Sequence, residues 1–155
     1  MGATVADAAA RPLHWVYNQK KLLTYIKGKK DFTFLTKNKI NYGIASNATR
    51  QFLKNSIHHL NLNFPTVFGV EDYEKPKPAP EAYVTLAKAL NFSETDFKDL
   101  WVFEDSLTGT TAAKLAGMIP IGILTQFTEE ELKKAGSAMV FPTLLEAYQY
   151  LISLS

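Results

Sequence analysis

The chain has 155 residues, 46% of them hydrophobic and 21% charged, with a net charge of +2 and no cysteine. Such proportions describe an ordinary globular domain long enough to bury a core. The missing thiols exclude a disulfide framework and a thiolate metal site, which fits a cytoplasmic setting, and no apolar run approaches the roughly 20 residues that span a bilayer.

Residues 1–15 lack the basic start and apolar core of a secretory signal, so none is expected and no membrane association follows. Residues 15–28 carry a helical apolar face in Val16, Leu22, Leu23 and Ile26. Charge is uneven: residues 1–60 hold ten Lys and Arg against two acids, Asp7 and Asp31, and the remainder holds seven against thirteen. The stretch KKLLTYIKGKK (20–30) reads as the solvated face of an amphipathic helix rather than a nucleic-acid surface.

From residue 38 onward, strand-like and helix-like segments alternate. Residues 40–46 (INYGIAS) form a short apolar run, and residues 46–60 follow with helical spacing in Phe52, Leu53, Ile57 and Leu60. Residues 66–70 (TVFGV) predict a brief buried strand. Pro76, Pro78 and Pro80 keep residues 74–80 out of any helix interior, and Pro80 suits the opening of a helix over 81–90. Residues 100–104 (LWVFE) predict a buried strand, and residues 107–117 a helix ending at Gly117. A strand over 119–124 and a helix over 128–136, acidic at its start and basic at its end, come next. A strand over 138–141 and a helix over 142–153 complete the alternation. The order predicts one α/β domain with a parallel sheet and right-handed crossovers. Ligands of such sheets lie at the carboxyl ends of the strands, where Ser46 and Asp105 fall.

Three places carry candidate chemistry. Ser46 and Asn47, between a strand and a helix, can donate to phosphate oxygens at a helix N-terminus, or one of them can simply cap that helix. Lys77 sits between prolines, so an ammonium can be held beside an anion with little ordering; Lys75 competes for the role. Glu104 and Asp105 end the strongest strand. Mg²⁺ takes one or two carboxylates plus water and phosphate, and Asp105 or Ser106 can equally cap the next helix. Gly109 disfavours that helix by about 1 kcal/mol against Ala, a hint that something approaches its backbone closely.

Taken together, FLTKNKINYGIASNA (34–48), KPKPAPEAY (75–83) and WVFEDSLTGTTAAKLAGM (101–118) resemble motifs II, III and IV of the haloacid dehalogenase-like (HAD) superfamily. They look like its branch of β-phosphoglucomutase and phosphoglycolate phosphatase-type enzymes. The resemblance covers about residues 32–155, with residues 1–31 matching weakly. It implies a three-layer Rossmann-like core with helices on both faces of a parallel sheet. It also implies Mg²⁺-dependent phosphoryl transfer from a small phosphorylated metabolite through an aspartyl-phosphate. By motif, Ser46 and Asn47 would bind phosphate, Lys77 would steady nucleophile and phosphoryl group, and Glu104 and Asp105 would serve the metal.

The superfamily's first motif is D-x-D, whose acids are nucleophile and general acid/base. No D-x-D occurs in this chain. Laid over that motif, ATVADAAAR (3–11) puts Asp7 at the nucleophile position and Ala9 at the acid position. About 38 residues lie between Asp7 and Ser46, too few for the superfamily's helical cap, so no complete cap domain is expected. Loss of the second acid removes a contribution of about 10²–10⁴-fold. The resemblance therefore implies impaired chemistry, or an inactive fold working with a protein partner through its lysine-rich segment 20–39.

Overall fold

The computed structural model describes residues 39–59 and 63–154. In chain order the elements are β1 (Ile44–Ala45), α1 (Arg50–His59), β2 (Val67–Phe68), α2 (Glu81–Ala89), β3 (Trp101–Glu104), α3 (Leu107–Leu115), β4 (Ile119–Ile123), α4 (Glu129–Ala135), β5 (Met139–Phe141) and α5 (Leu144–Ser153). Short 3₁₀ turns at Val70–Asp72 and Glu94–Asp99 interrupt the loops after β2 and α2. The helix predicted over 15–28 lies outside the described residues.

All pairings are parallel. β1 pairs with β2, Ile44 opposite Val67, and β3, β4 and β5 form a second group, with Trp101 opposite Ile119 and Ile121 opposite Met139. Among the described residues no other strand pairs with β1 or with β3. In the superfamily, the first motif's strand lies between the strands that carry motifs II and IV. Residues 3–11, which the sequence lays over that motif, lie outside the described residues.

Strand alternation sorts the core into two faces. Ile44, Trp101, Phe103, Ile121 and Ile123 pack with Leu53 of α1 and with Leu144, Ala147 and Leu151 of α5. Ala45 and Val102 face the other way, onto Ala82, Tyr83, Leu86 and Ala87 of α2 and Ala112 and Ala113 of α3. Helices therefore cover both faces, as the strand and helix order predicts. β3 is buried along its whole length, the environment in which parallel strands read as continuous apolar runs. Its last residue, Glu104, breaks that run, and everything near it is arranged around the carboxylate.

Helix ends follow their sequences closely. Gly117 has φ +75°, and the N–H groups of Gly117 and Met118 donate to Lys114 O (3.0 Å) and Ala113 O (3.1 Å), closing α3 in a Schellman turn. Asn91, φ +68°, ends α2 in the same way through Lys88 and Ala87.

Candidate functional site

At the end of β1, Ser46 N donates to Phe68 O at 3.0 Å, continuing the ladder by one residue. Ser46 is 3% exposed, and its Oγ accepts from Ala48 N at 3.2 Å, so among the described residues its O–H is available as a donor. Neither Ser46 nor Asn47 caps α1. That role goes to Thr49, whose Oγ1 accepts from Phe52 N at 3.3 Å. Glu71 Oε2 accepts from Arg50 N at 2.9 Å, a carboxylate at the positive end of the helix.

Asn47 ties this turn to the proline-rich loop. Its Oδ1 accepts from Lys77 N at 3.2 Å and from the Tyr73 hydroxyl at 3.0 Å, and its Nδ2 donates to Lys77 O at 3.5 Å. The Tyr73 hydroxyl also lies 2.6 Å from Ser46 O. Burial pushes the Tyr73 phenol up to about 12, with Asp72 and Glu71 adding to the effect.

Lys77 is buried, whereas Lys75 is exposed, with its backbone N–H on Glu81 Oε2 at 3.0 Å. The Lys77 ammonium reaches across the carboxyl ends of two strands: it donates to Ala45 O at 3.1 Å and to Glu104 Oε1 at 2.6 Å. It also stands 4.4 Å from the centre of the Tyr83 ring, in cation–π range. The side chains of Lys77 and Glu104 are 4% and 0% exposed. Such a pair is tolerable only because further donors satisfy the carboxylate. The Tyr83 hydroxyl donates to Glu104 Oε1, and Ser106 Oγ donates to Oε2 at 2.9 Å. Burial, then the charge of Glu104, raises the Tyr83 phenol well above its ordinary range.

Gly109 makes room for this carboxylate: a Cβ there would meet the Glu104 carboxyl atoms at 2.0–2.2 Å. The close approach expected at Gly109 is therefore that of Glu104 itself. Ser106 caps α3, accepting from Gly109 N at 3.0 Å, so Asp105 does not serve as the cap. Asp105, half-buried beyond the strand end, accepts from Thr125 Oγ1 at 3.1 Å.

One chain of contacts thus links Ser46, Asn47, Lys77 and Glu104, with Asp105 following Glu104 in the chain. Asp7 lies outside the described residues. Among the described residues no group of three His, Cys, Asp or Glu side chains is placed to hold an ion. The donor chemistry nonetheless suits Mg²⁺, which needs few protein carboxylates when water and a substrate phosphate complete its shell. Tyr83, Tyr73, Thr49 and Thr125 escaped the sequence reading. Tyr83 sits at an apolar position of α2, where spacing signals core and says nothing about its hydroxyl.

The haloacid dehalogenase-like hydrolase family matches residues 11–123, a range that does not reach Asp7. Glycerol-1-phosphate phosphohydrolase 2 of Saccharomyces cerevisiae is 31% identical over 104 residues, covering 64% of this chain and 42% of that protein. Validoxylamine A 7'-phosphate phosphatase of Streptomyces hygroscopicus subsp. limoneus is 30% identical over 95 residues, 60% of this chain and 43% of that protein. The chain thus spans less than half the length of these relatives. Among solved structures, β-phosphoglucomutase of Clostridium difficile superposes with a TM-score of 0.65 at 23% identity, covering 79% of this chain and 52% of that one.

Proposed function

This chain belongs to the haloacid dehalogenase-like hydrolase family, and from that we propose that it is a slow, Mg²⁺-dependent phosphatase of small phosphorylated metabolites. The observation that carries the proposal is the buried Lys77–Glu104 pair, 2.6 Å apart at the carboxyl ends of two parallel strands. Among the described residues, the buried ammonium has N–H bonds on Ala45 O and Glu104 and a third N–H to offer an anion. In this role Lys77 steadies the phosphoryl group while Ser46 and Asn47 form the turn that receives it. Asp105 and Glu104 are assigned to the metal, Asp105 at the strand end and Glu104 behind it, already holding Lys77. Mg²⁺, when bound, would neutralise charge on the phosphoryl oxygens. Asp7 is the proposed nucleophile, and Ala9 in place of a second acid accounts for slow turnover. The whole of 1–155 is proposed as a single core domain without a complete cap. Substrates of the size that the yeast glycerol phosphatase's name implies are the first to test. No described helix is long and apolar enough to cross a membrane, and a cytoplasmic site is proposed.

The absence of D-x-D from the sequence favours a second reading, an inactive fold serving as a subunit for a protein partner. Release of phosphate from p-nitrophenyl phosphate and glycerol 1-phosphate, with and without Mg²⁺, separates the two. Slow, Mg²⁺-dependent release that is abolished in Asp105→Asn and in Asp7→Asn is expected. Release indistinguishable from buffer, or undiminished from the wild-type level in both variants, would overturn the enzyme reading in favour of the subunit.

A further inference from the structure

Tyr83 touches both partners of the buried ion pair. Its ring lies 4.4 Å from the Lys77 ammonium, and its hydroxyl donates to Glu104 Oε1, the same oxygen that Lys77 contacts at 2.6 Å. Glu104 Oε2 takes a separate donor, Ser106 Oγ, at 2.9 Å. Tyr83 and Glu104 are both 0% exposed, so no solvent competes for these bonds.

We infer that Tyr83 is a positioning residue: its hydroxyl shares Glu104 Oε1 with Lys77 and so sets where the ammonium stands and where its third N–H points. The inference rests on the proposed role of Lys77 toward phosphate and goes beyond it. An oxygen with two donors divides its negative charge between them, and in a fully buried site that division is strong. Removing the phenol leaves Lys77 as the single donor to that oxygen among the described residues. The ammonium is then drawn toward Glu104 and away from Ala45 O and any anion beyond. Ring and hydroxyl have separable effects. A phenylalanine keeps the cation–π face and the packing against Leu86 and Ala112. It also strands no buried acceptor, since Lys77 still satisfies Oε1.

Tyr83→Phe in the full chain is the test, read by the nitrogen resonance of the Lys77 ammonium and by steady-state kinetics on p-nitrophenyl phosphate. With no phosphate present, the Lys77 resonance is expected to move in the variant. The value of kcat is expected to fall about tenfold while KM changes by less than about twofold, since the lost bond is one to a charged group. In a Glu104→Gln background, Tyr83→Phe is expected to move the resonance no further. An unmoved resonance with unchanged kcat in the folded variant overturns the inference, as does a full-sized effect in the Glu104→Gln background. If Tyr83→Phe does not fold, fluorotyrosine at position 83 strengthens the donor and is expected to move the resonance the opposite way, and no movement overturns the inference. Failure of the functional reading looks different. It would appear as no turnover, and no response of the wild-type Lys77 resonance to inorganic phosphate, while the phosphate-free comparison still decides the role of Tyr83.

Discussion

A carboxylate with no exposed surface needs compensation from its neighbours, and Glu104 has it from three side chains, Lys77, Tyr83 and Ser106. Replacing Lys77 with Met removes the one full charge that balances it among the described residues. The expected loss is about 3–5 kcal/mol in urea unfolding, because the remaining ion is buried and uncompensated. Adding Glu104→Gln to Lys77→Met should recover more than half of that loss; no recovery would show that packing, not charge, is at stake. Gly109 lends itself to a second test at this scale. By helix propensity alone, Gly109→Ala would stabilise α3 by about 1 kcal/mol. A Cβ only 2.0–2.2 Å from the Glu104 carboxyl atoms reverses the sign. The expected outcome is a net loss of about 1–3 kcal/mol, with thermal unfolding as the check. The sequence marked Gly109 as a place of close approach, but its visitor was unreadable because Glu104 reaches it through the fold. The choice between Lys75 and Lys77 was equally hidden in the sequence, since both sit beside the same prolines, and burial separates them.

At the scale of elements, local chemistry was the most readable. The terminus of α3 at Gly117 follows from its tolerance of positive φ, and α4 begins with Thr128 capping Glu131 N as its acidic first turn suggests. The start of α1 was less readable. Four residues, Ser46 to Thr49, separate β1 from that helix, and three of them, Ser46, Asn47 and Thr49, are natural caps. The tertiary contact of Glu71 with Arg50 N and the close passage of Gly69 push the helix start late, so Thr49 caps it. Ser46 and Asn47 are thereby kept for the turn. Thr49→Ala should cost about 1 kcal/mol, as loss of an N-cap bond does. Ser106→Ala should cost about 2 kcal/mol, because Ser106 both caps α3 and donates to Glu104. Equal losses in denaturant titrations of the two variants would contradict the second role. The strands proved shorter than the apolar runs that predicted them: residues 40–46 yield only Ile44–Ala45, and residues 66–70 only Val67–Phe68, which is half-buried rather than buried as expected. An apolar run marks burial, whereas strand length depends on how much of a neighbouring strand it meets.

For the molecule as a whole, burial of phenols predicts alkaline sensitivity. The Tyr73 phenol is held up to about 12 in the folded chain, against an ordinary 10.0. A raised phenol pKa favours the neutral, folded form. Its contribution is complete below about pH 10 and disappears as pH climbs toward about 12. Urea unfolding across that window, with phenolate absorbance followed in parallel, should show stability falling with pH. The fall should be shallower in Tyr73→Phe; an identical slope would count against the assignment. The order of strands and helices, the two-faced burial and the family are legible in the sequence, because hydrophobic period and motif spacing are local properties of the chain. So was the pairing of a basic loop with an acidic strand end as a kind of chemistry. Only the tertiary structure decided that Lys77 meets Glu104, 27 positions away, over the ring of Tyr83, and that Asn47 grips the Lys77 peptide from 30 positions off. Those contacts arise from the proline-rich loop, which carries Lys77 across the ends of β1 and β3, and from the packing of α2 against both strands. No periodicity within a single segment encodes either.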